Sequence, residues 1–197
     1  DITAVNGAVI PADSLIEIVT LDENGKAVIK TDIPMGSYYV KEIAADEHYI
    51  LNDTKYPVVF EYAGQDTAKV EISVNDGKKI ENKLIYGSVS GKKVDENGKA
   101  LGGAVIGIFA SDDMEFTEEN ALMTVTSAED GSFSFDKVPY GIWYVREISQ
   151  PKGYVLDNTV YEVNIAEKEQ VVQVEIINEF VRGNITLTKV DADYPDN

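Results

Sequence analysis

Short runs in which apolar and polar residues alternate make up most of this chain. Residues 171–177 read VVQVEII and residues 56–62 read YPVVFEY, and Gly, Asn and Asp separate such runs from one another. β-Branched and aromatic residues with a period of two indicate strands that bury one face. The spacing of the runs predicts an all-β protein made of tandem, seven-stranded β-sandwich domains. Residues 112–122 are the one plausible helical or irregular stretch, and we expect a charged loop there.

Two segments of the sequence occur twice. Residues 87–95, GSVSGKKVD, return as residues 183–191, GNITLTKVD. Residues 34–43, PMGSYYVKEI, return as residues 139–148, PYGIWYVREI. Repeats of this length indicate copies of one domain in tandem.

The repeats divide the chain into three parts. When the copies are aligned, residue 1 falls near residue 111, so the first copy has no counterpart of residues 87–111. We therefore expect a partial domain at 1–84 that lacks its first strands, a complete domain at 85–181, and the first strand of a third repeat at 182–197.

Polar residues fall on the core-facing phase of several strands. Residues two apart in a strand share a face, so Lys93 lies on the face of Val89. The polar residues that share an apolar phase in this way are Lys93, Glu147 and Asn178 in the complete domain, Glu42 and Asn82 in the first copy, and Lys189 in the third. In the first copy, Ile80 and Leu84 share the phase of Asn82 and are expected in its core.

A lysine, a glutamate and an asparagine in one core allow two interpretations. A buried charge normally pairs or changes its protonation state, so one interpretation is an ion pair with a hydrogen-bonded amide, which adds little net stability. The other is chemical. Desolvation would depress the pKa of Lys93 and make it a neutral nucleophile, while Glu147 as a carboxylic acid would shuttle protons. Attack on the Asn178 carboxamide would then release ammonia and leave a Lys93–Asn178 amide, helped by proximity in the packed core.

At these residues the sequence resembles the collagen-adhesin B-type (CnaB, prealbumin-like) domains of Gram-positive surface proteins. The motifs that carry the resemblance are GSVSGKKVD at 87–95, LGGA at 101–104, YVREI at 144–148, PKGY at 151–154 and EIINE at 175–179. In that family a Lys, a Glu and an Asn form an intramolecular isopeptide bond. The resemblance implies an Ig-like (prealbumin-like) sandwich, with Lys93 as nucleophile, Glu147 as acid and base, and Asn178 as electrophile.

The chain departs from the family pattern in the first copy and at one glycine. The first copy has ADEHY in place of the Pro-x-Gly-Tyr tail and has no lysine strand, so Glu42 and Asn82 are an incomplete site. Gly91 stands where many relatives carry an apolar residue, and we expect it to leave a gap beside Lys93.

Lys189 is also part of an incomplete site, whose partners are expected beyond residue 197. An unpaired sheet edge recruits strands. Residues 183–191 of one molecule are therefore a candidate for the empty first-strand place in another.

The composition narrows the range of functions. The chain has 17 Lys and Arg, 35 Asp and Glu, one His and no Cys, for a net charge of -18. Such an acidic surface disfavours nucleic acids and anionic membranes, and the lack of Cys excludes thiolate chemistry. A Ser-His-Asp triad would have to use His48, which we interpret as a solvent-side loop residue. The acidic turns at 22–25 and 95–98 lack the spacing of a calcium loop, so we expect no metal and no cofactor.

We therefore expect a structural stalk module, not an enzyme, whose only catalysis is a single self-directed turnover. The resemblance implies a cell-wall-anchored adhesin or pilus at the cell surface, with neighbouring repeats as partners. The alternative is an adhesin module that binds host matrix or glycans through the 112–122 loop or a sheet face. No apolar run approaches the roughly 20 residues of a membrane span, and no signal-peptide pattern opens the sequence, so we expect no membrane insertion and either a cytosolic protein or a piece of a longer chain.

Overall fold

The chain forms two compact units built from β-strands. The computed structural model describes residues 1–64, 66 and 70–189. The first unit spans Asp1–Lys83, and the second begins at Leu84. No helix in the described part of the chain is long and apolar enough to cross a membrane.

The second unit is a sandwich of two β-sheets. Its strands are β7 (Tyr86–Asp95), β8 (Val105–Phe109), β9 (Met123–Thr126), β10 (Ser132–Pro139), β11 (Gly141–Ser149), β12 (Tyr161–Ile165) and β13 (Val171–Asn178). One sheet has the order β10-β7-β13 and the other has the order β12-β11-β8-β9. The prediction of a seven-stranded sandwich is confirmed for this unit, and residues 112–122 form the expected loop.

The first and last strands of this unit lie side by side. β7 is the middle strand of its sheet, antiparallel to β10 and parallel to β13. In the parallel ladder Lys93 pairs with Ile176 and Asp95 pairs with Asn178. β11, which carries Glu147, is an inner strand of the other sheet, between β12 and β8.

Alternation along the strands places one face of each sheet in a common core. In β13, for example, Val174 and Ile176 are buried whereas Gln173 and Glu175 are exposed. The core residues are Val89, Ala104, Ile106, Ile108, Phe133, Phe135, Val138, Val145, Val163, Ile165, Val174 and Ile176. Each fully buried Val, Ile or Phe contributes about 1.5–3 kcal/mol, so this cluster supplies the main stabilisation of the sandwich.

Gly91 leaves no gap beside Lys93, so this prediction is wrong. A Cβ atom at Gly91 would lie 2.0 Å from the carbonyl oxygen of Val174 and 2.4 Å from the ring of Phe133. The space that an apolar side chain would take is therefore occupied by the neighbouring strand and by an aromatic ring from β10.

The first unit contains shorter strands that pair two by two. Its elements are β1 (Ile2–Thr3), β2 (Val9–Ile10), β3 (Gly36–Val40), β4 (Tyr49–Ile50), β5 (Tyr56–Phe60), a 3₁₀ turn (Val74–Gly77) and β6 (Lys83–Leu84). β1 pairs with β2, β3 with β5, and β4 with β6. The β3–β5 ladder places Gly36 opposite Phe60, as the β11–β12 ladder places Gly141 opposite Ile165. The two units therefore share this hairpin-like pair with the same register.

The apolar phase around Asn82 is not buried, contrary to the expectation for Ile80 and Leu84. These two side chains are 43% and 44% exposed, and residues 78–82 form no strand. In the second unit the corresponding strand, β13, pairs with β7. Residues 78–82 have no such neighbour among the described residues, and a segment without one forms no ladder and keeps its apolar side chains in solvent.

The segment expected to open a third repeat is only partly described. Residues 181–189 form no strand, and the side chains of Ile185 and Leu187 are 98% and 89% exposed. Residues 190–197 lie outside the described residues. The assignment of 182–197 as the first strand of a third repeat stays a prediction.

The close approach at Gly91 leads to a stability prediction. We expect Gly91→Ala to lower the free energy of unfolding of the second unit by about 1–3 kcal/mol, because the added methyl group overpacks the contact between β7, β13 and Phe133. Gly183→Ala is the matched control, since a Cβ there meets nothing within 4 Å. Urea unfolding measures both variants, and equal stability of the two would contradict the packing described above.

Candidate functional site

Three polar side chains meet in the core of the second unit. Lys93 and Asn178 are 0% exposed and Glu147 is 1% exposed. Lys93 comes from β7 and Asn178 from the end of the adjacent β13, while Glu147 reaches in from β11 in the opposite sheet. The structure therefore brings together all three residues that strand phase assigned to this core.

The Glu147 carboxyl group lies between an amine and an amide nitrogen. Its Oε2 atom accepts hydrogen bonds from Asn178 Nδ2 at 2.7 Å and from the backbone N–H of Asp157 at 2.8 Å. Its Oε1 atom lies 3.7 Å from Lys93 Nζ. One carboxyl group thus lies between the side-chain nitrogen of a carboxamide on one side and a primary amine on the other.

The Lys93 amine is held at this place by main-chain contacts. Its Nζ donates a hydrogen bond to the carbonyl oxygen of Ile176 at 3.1 Å. The backbone N–H of Lys93 donates to the carbonyl oxygen of Gly131 at 2.7 Å. Gly131 has a φ of +74°, and a Cβ there would lie 2.3 Å from the Lys93 carbonyl oxygen, so this turn requires glycine.

Burial lowers the pKa of the Lys93 amine. Removal of the ammonium from water is the largest cause, and it outweighs the charges of Glu147 and Asp157, which favour the protonated form. The neutral amine is the nucleophilic form of lysine.

The Asn178 carboxamide is oriented through its nitrogen. Nδ2 donates one hydrogen bond to Glu147 and a second, at 2.5 Å, to the carbonyl oxygen of Val155. The buried Oδ1 atom of Asn178 accepts no hydrogen bond from the described residues, and neither does Oε1 of Glu147. A buried oxygen without a hydrogen bond is costly, and of these two only Glu147 Oε1 has a compensating charge, the Lys93 amine at 3.7 Å, so the arrangement is a poor one for stability alone.

A turn before β12 supports the glutamate. Asp157, whose N–H binds Glu147, accepts hydrogen bonds from the backbone N–H of Thr159 at 2.9 Å and from the Tyr161 hydroxyl at 2.8 Å. Burial, followed by the hydrogen bond to Asp157, raises the pKa of Tyr161 to about 12. The tyrosine therefore stays protonated and keeps the turn fixed.

The first unit contains the same acid and amide without the amine. Asn82 Nδ2 donates to Glu42 Oε1 at 2.7 Å, and the backbone N–H of Asn52 donates to Glu42 Oε2 at 2.8 Å. Asn52 Nδ2 in turn donates to the Tyr56 hydroxyl at 3.0 Å. Glu42 and Asn82 are both half-buried, in contrast to the full burial of their counterparts.

The supporting turn escaped the analysis of the sequence, although a signal for it was present. Residues 52–56 read NDTKY and residues 157–161 read DNTVY, which is a repeated Asx-x-Thr-x-Tyr pattern. Lys93 contacts the carbonyl oxygen of Ile176, and Asn178 contacts that of Val155. These contacts have no signal in the sequence, because every residue type has a carbonyl group.

The acidic turns and His48 were the other features considered in the sequence, and they have ordinary structural contacts. The acidic turns close through Gly25 N–H to Asp22 O and Gly98 N–H to Asp95 O, both at 2.9 Å. No group of acidic or His residues suited to a metal ion occurs among the described residues. His48 is an exposed loop residue whose Nδ1 lies 2.5 Å from Asp46 Oδ1.

These features define a class of protein: a two-sheet sandwich that buries a Lys, a Glu and an Asn between its first, middle and last strands. The model of the SpaA prealbumin-like fold domain family matches residues 1–78 and 87–179. The chain belongs to this family, as the resemblance to prealbumin-like domains predicted.

Three known proteins are similar to the chain. The trypsin-resistant surface T6 protein of Streptococcus pyogenes serotype M6 is 34% identical over 112 residues, which are 57% of this chain and 19% of that protein. The solved structure of the Bacillus anthracis TIE protein matches with a TM-score of 0.65 and 25% identity over 83% of this chain and 28% of the other. The major pilin subunit BcpA of Bacillus cereus matches at 28% identity over 47% of this chain and 28% of its own, with a TM-score of 0.40. The chain spans about a fifth of the T6 protein and about a quarter of the TIE protein.

The lowered pKa of Lys93 leads to a pH prediction for a variant that keeps a free amine, Asn178→Ala. The pKa of the folded state lies below the ordinary value of 10.5, so the unfolded state binds more protons between these two values. Stability of the second unit should therefore rise with pH across this interval and level off above 10.5. Lys93→Met/Asn178→Ala is the control, and urea unfolding at a series of pH values should give it a flatter profile. Parallel profiles for the two variants would contradict the assigned shift.

Proposed function

We propose that the second unit forms a covalent amide bond between Lys93 Nζ and Asn178 Cγ, with Glu147 as the proton shuttle. The observation that carries the proposal is the position of the Glu147 carboxyl group, which contacts Asn178 Nδ2 at 2.7 Å through one oxygen and Lys93 Nζ at 3.7 Å through the other. The nitrogen that attacks and the nitrogen that leaves are thus served by one acid.

The reaction begins with a proton transfer inside the buried pair. Transfer from the Lys93 ammonium to Glu147 gives a neutral amine and a carboxylic acid, which a dry core favours over two charges. The lone pair of Nζ then attacks Asn178 Cγ, and the carbonyl electron pair moves to Oδ1.

Collapse of the tetrahedral intermediate releases ammonia. Glu147 gives its proton to Nδ2 and takes the proton that Nζ loses, so it ends as the carboxylic acid that the first proton transfer produced. The Cγ–Nδ2 bond breaks and the carbonyl group reforms. In sum, an amine and a carboxamide become a secondary amide and ammonia. The fixed neighbourhood of the groups supplies the effective molarity that this slow exchange requires.

The bond would join the first and last strands of the sandwich. It closes a loop of about 85 residues, and the chain-entropy account of cross-links gives a stabilisation of about 4.5 kcal/mol for such a loop. A force that enters at β7 and leaves at β13 would pass through the bond and spare the strands in between.

We therefore infer a structural role at the surface of a Gram-positive cell, in an adhesin or a pilus. Membership of the SpaA prealbumin-like family and the similarity to a streptococcal surface protein support this role. In this role the unit holds other domains away from the cell, next to neighbouring repeats of the same chain. It catalyses only its own closure. The alternative of matrix or glycan binding through the 112–122 loop or a sheet face has no observation in its favour.

Intact-mass spectrometry tests the bond directly. We expect the wild-type monomer to weigh one ammonia less than its sequence, whereas Lys93→Arg and Glu147→Gln keep the full mass because nucleophile or shuttle is lost. Matched controls are Lys92→Arg and Glu175→Gln, which make the same two exchanges at exposed positions of β7 and β13. A wild-type monomer of full mass would refute the proposal, and so would the absence of a 93–178 cross-linked peptide from a digest.

The stabilisation by the bond can be compared with that of a hydrogen bond alone. We expect Asn178→Ala to lower the free energy of unfolding of the second unit by at least about 4 kcal/mol, because loop closure is lost with the hydrogen bonds. Asn82→Ala removes the equivalent hydrogen bond to Glu42, where the described residues offer no buried amine, and should cost the first unit about 1 kcal/mol in dilute protein. Equal losses, measured by urea unfolding, would show that no covalent closure contributes.

A further inference from the structure

The two oxygen atoms of the Glu147 carboxyl group have unequal surroundings. Oε2 accepts both N–H donors, Asn178 Nδ2 at 2.7 Å and the backbone N–H of Asp157 at 2.8 Å. Oε1 accepts no hydrogen bond from the described residues and lies 3.7 Å from Lys93 Nζ. A carboxylate oxygen has two lone pairs, so the two donors fill Oε2, and Oε1 keeps its capacity to accept the proton of the amine.

The first unit shows that the same kinds of group can be arranged differently. There Asn82 Nδ2 donates to Oε1 of Glu42, and the backbone N–H of Asn52 donates to Oε2. Each oxygen of this glutamate therefore has a donor of its own. The free oxygen of Glu147 is thus a result of how the second unit places its two donors, and an acid–amide pair alone does not provide it.

The Asp157 side chain fixes the position of its own N–H. Its Oδ1 atom accepts a hydrogen bond from the backbone N–H of Thr159 at 2.9 Å, and its Oδ2 atom accepts one from the Tyr161 hydroxyl at 2.8 Å. The first contact closes an Asx turn, and the second ties that turn to β12. An alanine at this position has no atom that could make either contact.

Asparagine can close this turn in place of aspartate, as the first unit shows. Asn52 Oδ1 accepts a hydrogen bond from the Thr54 N–H at 3.1 Å, and Asn52 Nδ2 donates to the Tyr56 hydroxyl at 3.0 Å. The N–H of Asn52 still reaches the glutamate of that unit at 2.8 Å. An exchange of Asp157 for asparagine should therefore keep the turn and remove only the charge.

We propose that Asp157 is a positioning residue for amide formation in the second unit. Its N–H holds Oε2 of Glu147 beside the carboxamide, and Oε1 thereby stays free to take the proton of Lys93. In that transfer an N–H bond of the amine breaks and an O–H bond forms at Oε1. If the turn opened, the carboxyl group could rotate and give each oxygen one donor, as in the first unit. This proposal rests on the function proposed above and deepens it.

The charge of Asp157 has an effect of its own on the amine. Burial is the main influence on the pKa of Lys93 and lowers it, while the charges of Glu147 from β11 and Asp157 from the turn before β12 oppose that change. From β13 the amine meets the uncharged carbonyl group of Ile176. Without the charge of Asp157 the amine should lose its proton at a lower pH. The neutral, nucleophilic form would then be reached earlier as the pH rises.

The rate of ammonia loss from unreacted chain tests the proposal. The whole chain is produced as inclusion bodies and dissolved in urea, where its full mass is checked, and folding is started by dilution into buffer. Intact-mass spectrometry then follows the reaction while circular dichroism follows folding, so rates are compared among folded molecules. We expect Asp157→Ala to react at least about tenfold more slowly than wild type, because the acid is misplaced, and Asp157→Asn to restore the rate.

A pH series distinguishes positioning from a general loss of structure. The rate profile of Asp157→Asn should lie at lower pH than that of wild type. Asp136→Asn is the matched control, because it removes one carboxylate from an exposed position of β10 and should keep the wild-type profile. The same profile for both asparagine variants would overturn the charge effect of Asp157.

The outcomes separate this proposal from the one on which it rests. A wild-type chain that folds and keeps its full mass would refute the amide bond, and the role of Asp157 with it. A wild-type chain that loses ammonia no faster than Asp157→Ala would leave the bond standing and overturn the positioning role. Asp157→Asn as slow as Asp157→Ala would also overturn it, because the turn would then be closed without effect.

Discussion

The polar core of the second unit depends on one constraint: the buried Glu147 carboxyl group lies between the side-chain nitrogen atoms of Lys93 and Asn178. Both side chains are shielded from solvent, so an ammonium at Lys93 and a carboxylate at Glu147 lose their solvation and recover it only from each other, from the Asn178 amide and from the backbone. The carbonyl oxygen of Ile176 accepts a hydrogen bond from Lys93 Nζ and the N–H of Asp157 donates one to Glu147, so the backbone replaces part of the lost solvation. The parallel pairing of β7 with β13 and the place of β11 in the opposite sheet are what bring these groups within reach.

The two units form a natural comparison of the same polar pair in two settings. Glu147 and Asn178 are sealed by a sheet whose middle strand is present, whereas Glu42 and Asn82 keep their hydrogen bond in a unit whose described residues supply no such strand. The pair therefore forms from local contacts with the supporting turn and does not require burial. What burial adds is a lowered pKa of the Lys93 amine, because desolvation disfavours the ammonium.

Strand phase was enough to predict which side chains of the second unit face inward. Lys93, Glu147 and Asn178 each sit at the expected position, because a strand with one apolar face has only two phases to choose from. The same rule was wrong for Ile80 and Leu84, since phase states which face a residue takes but not whether a partner covers that face.

Features that depend on packing between distant segments could not be predicted from the sequence. The space at Gly91 is filled by Phe133 from β10, and nothing in the local pattern of β7 reports an aromatic ring from another strand. Backbone carbonyl partners are equally invisible, because they carry no residue identity. The turn at 157–161 is different, because its Asx-x-Thr-x-Tyr pattern recurs at 52–56 and is visible in the sequence when the loops are aligned as well as the strands.

The direction of the outer strands has a geometric consequence. β7 and β13 run parallel and side by side, so the chain enters the sandwich at one pole and leaves it at the opposite pole. A strand of this length measures about 30 Å. Each further copy of such a unit would therefore lengthen the polypeptide by the long dimension of one sandwich, because the chain does not fold back on itself. The end-to-end length of a tandem array would then be set by the number of copies.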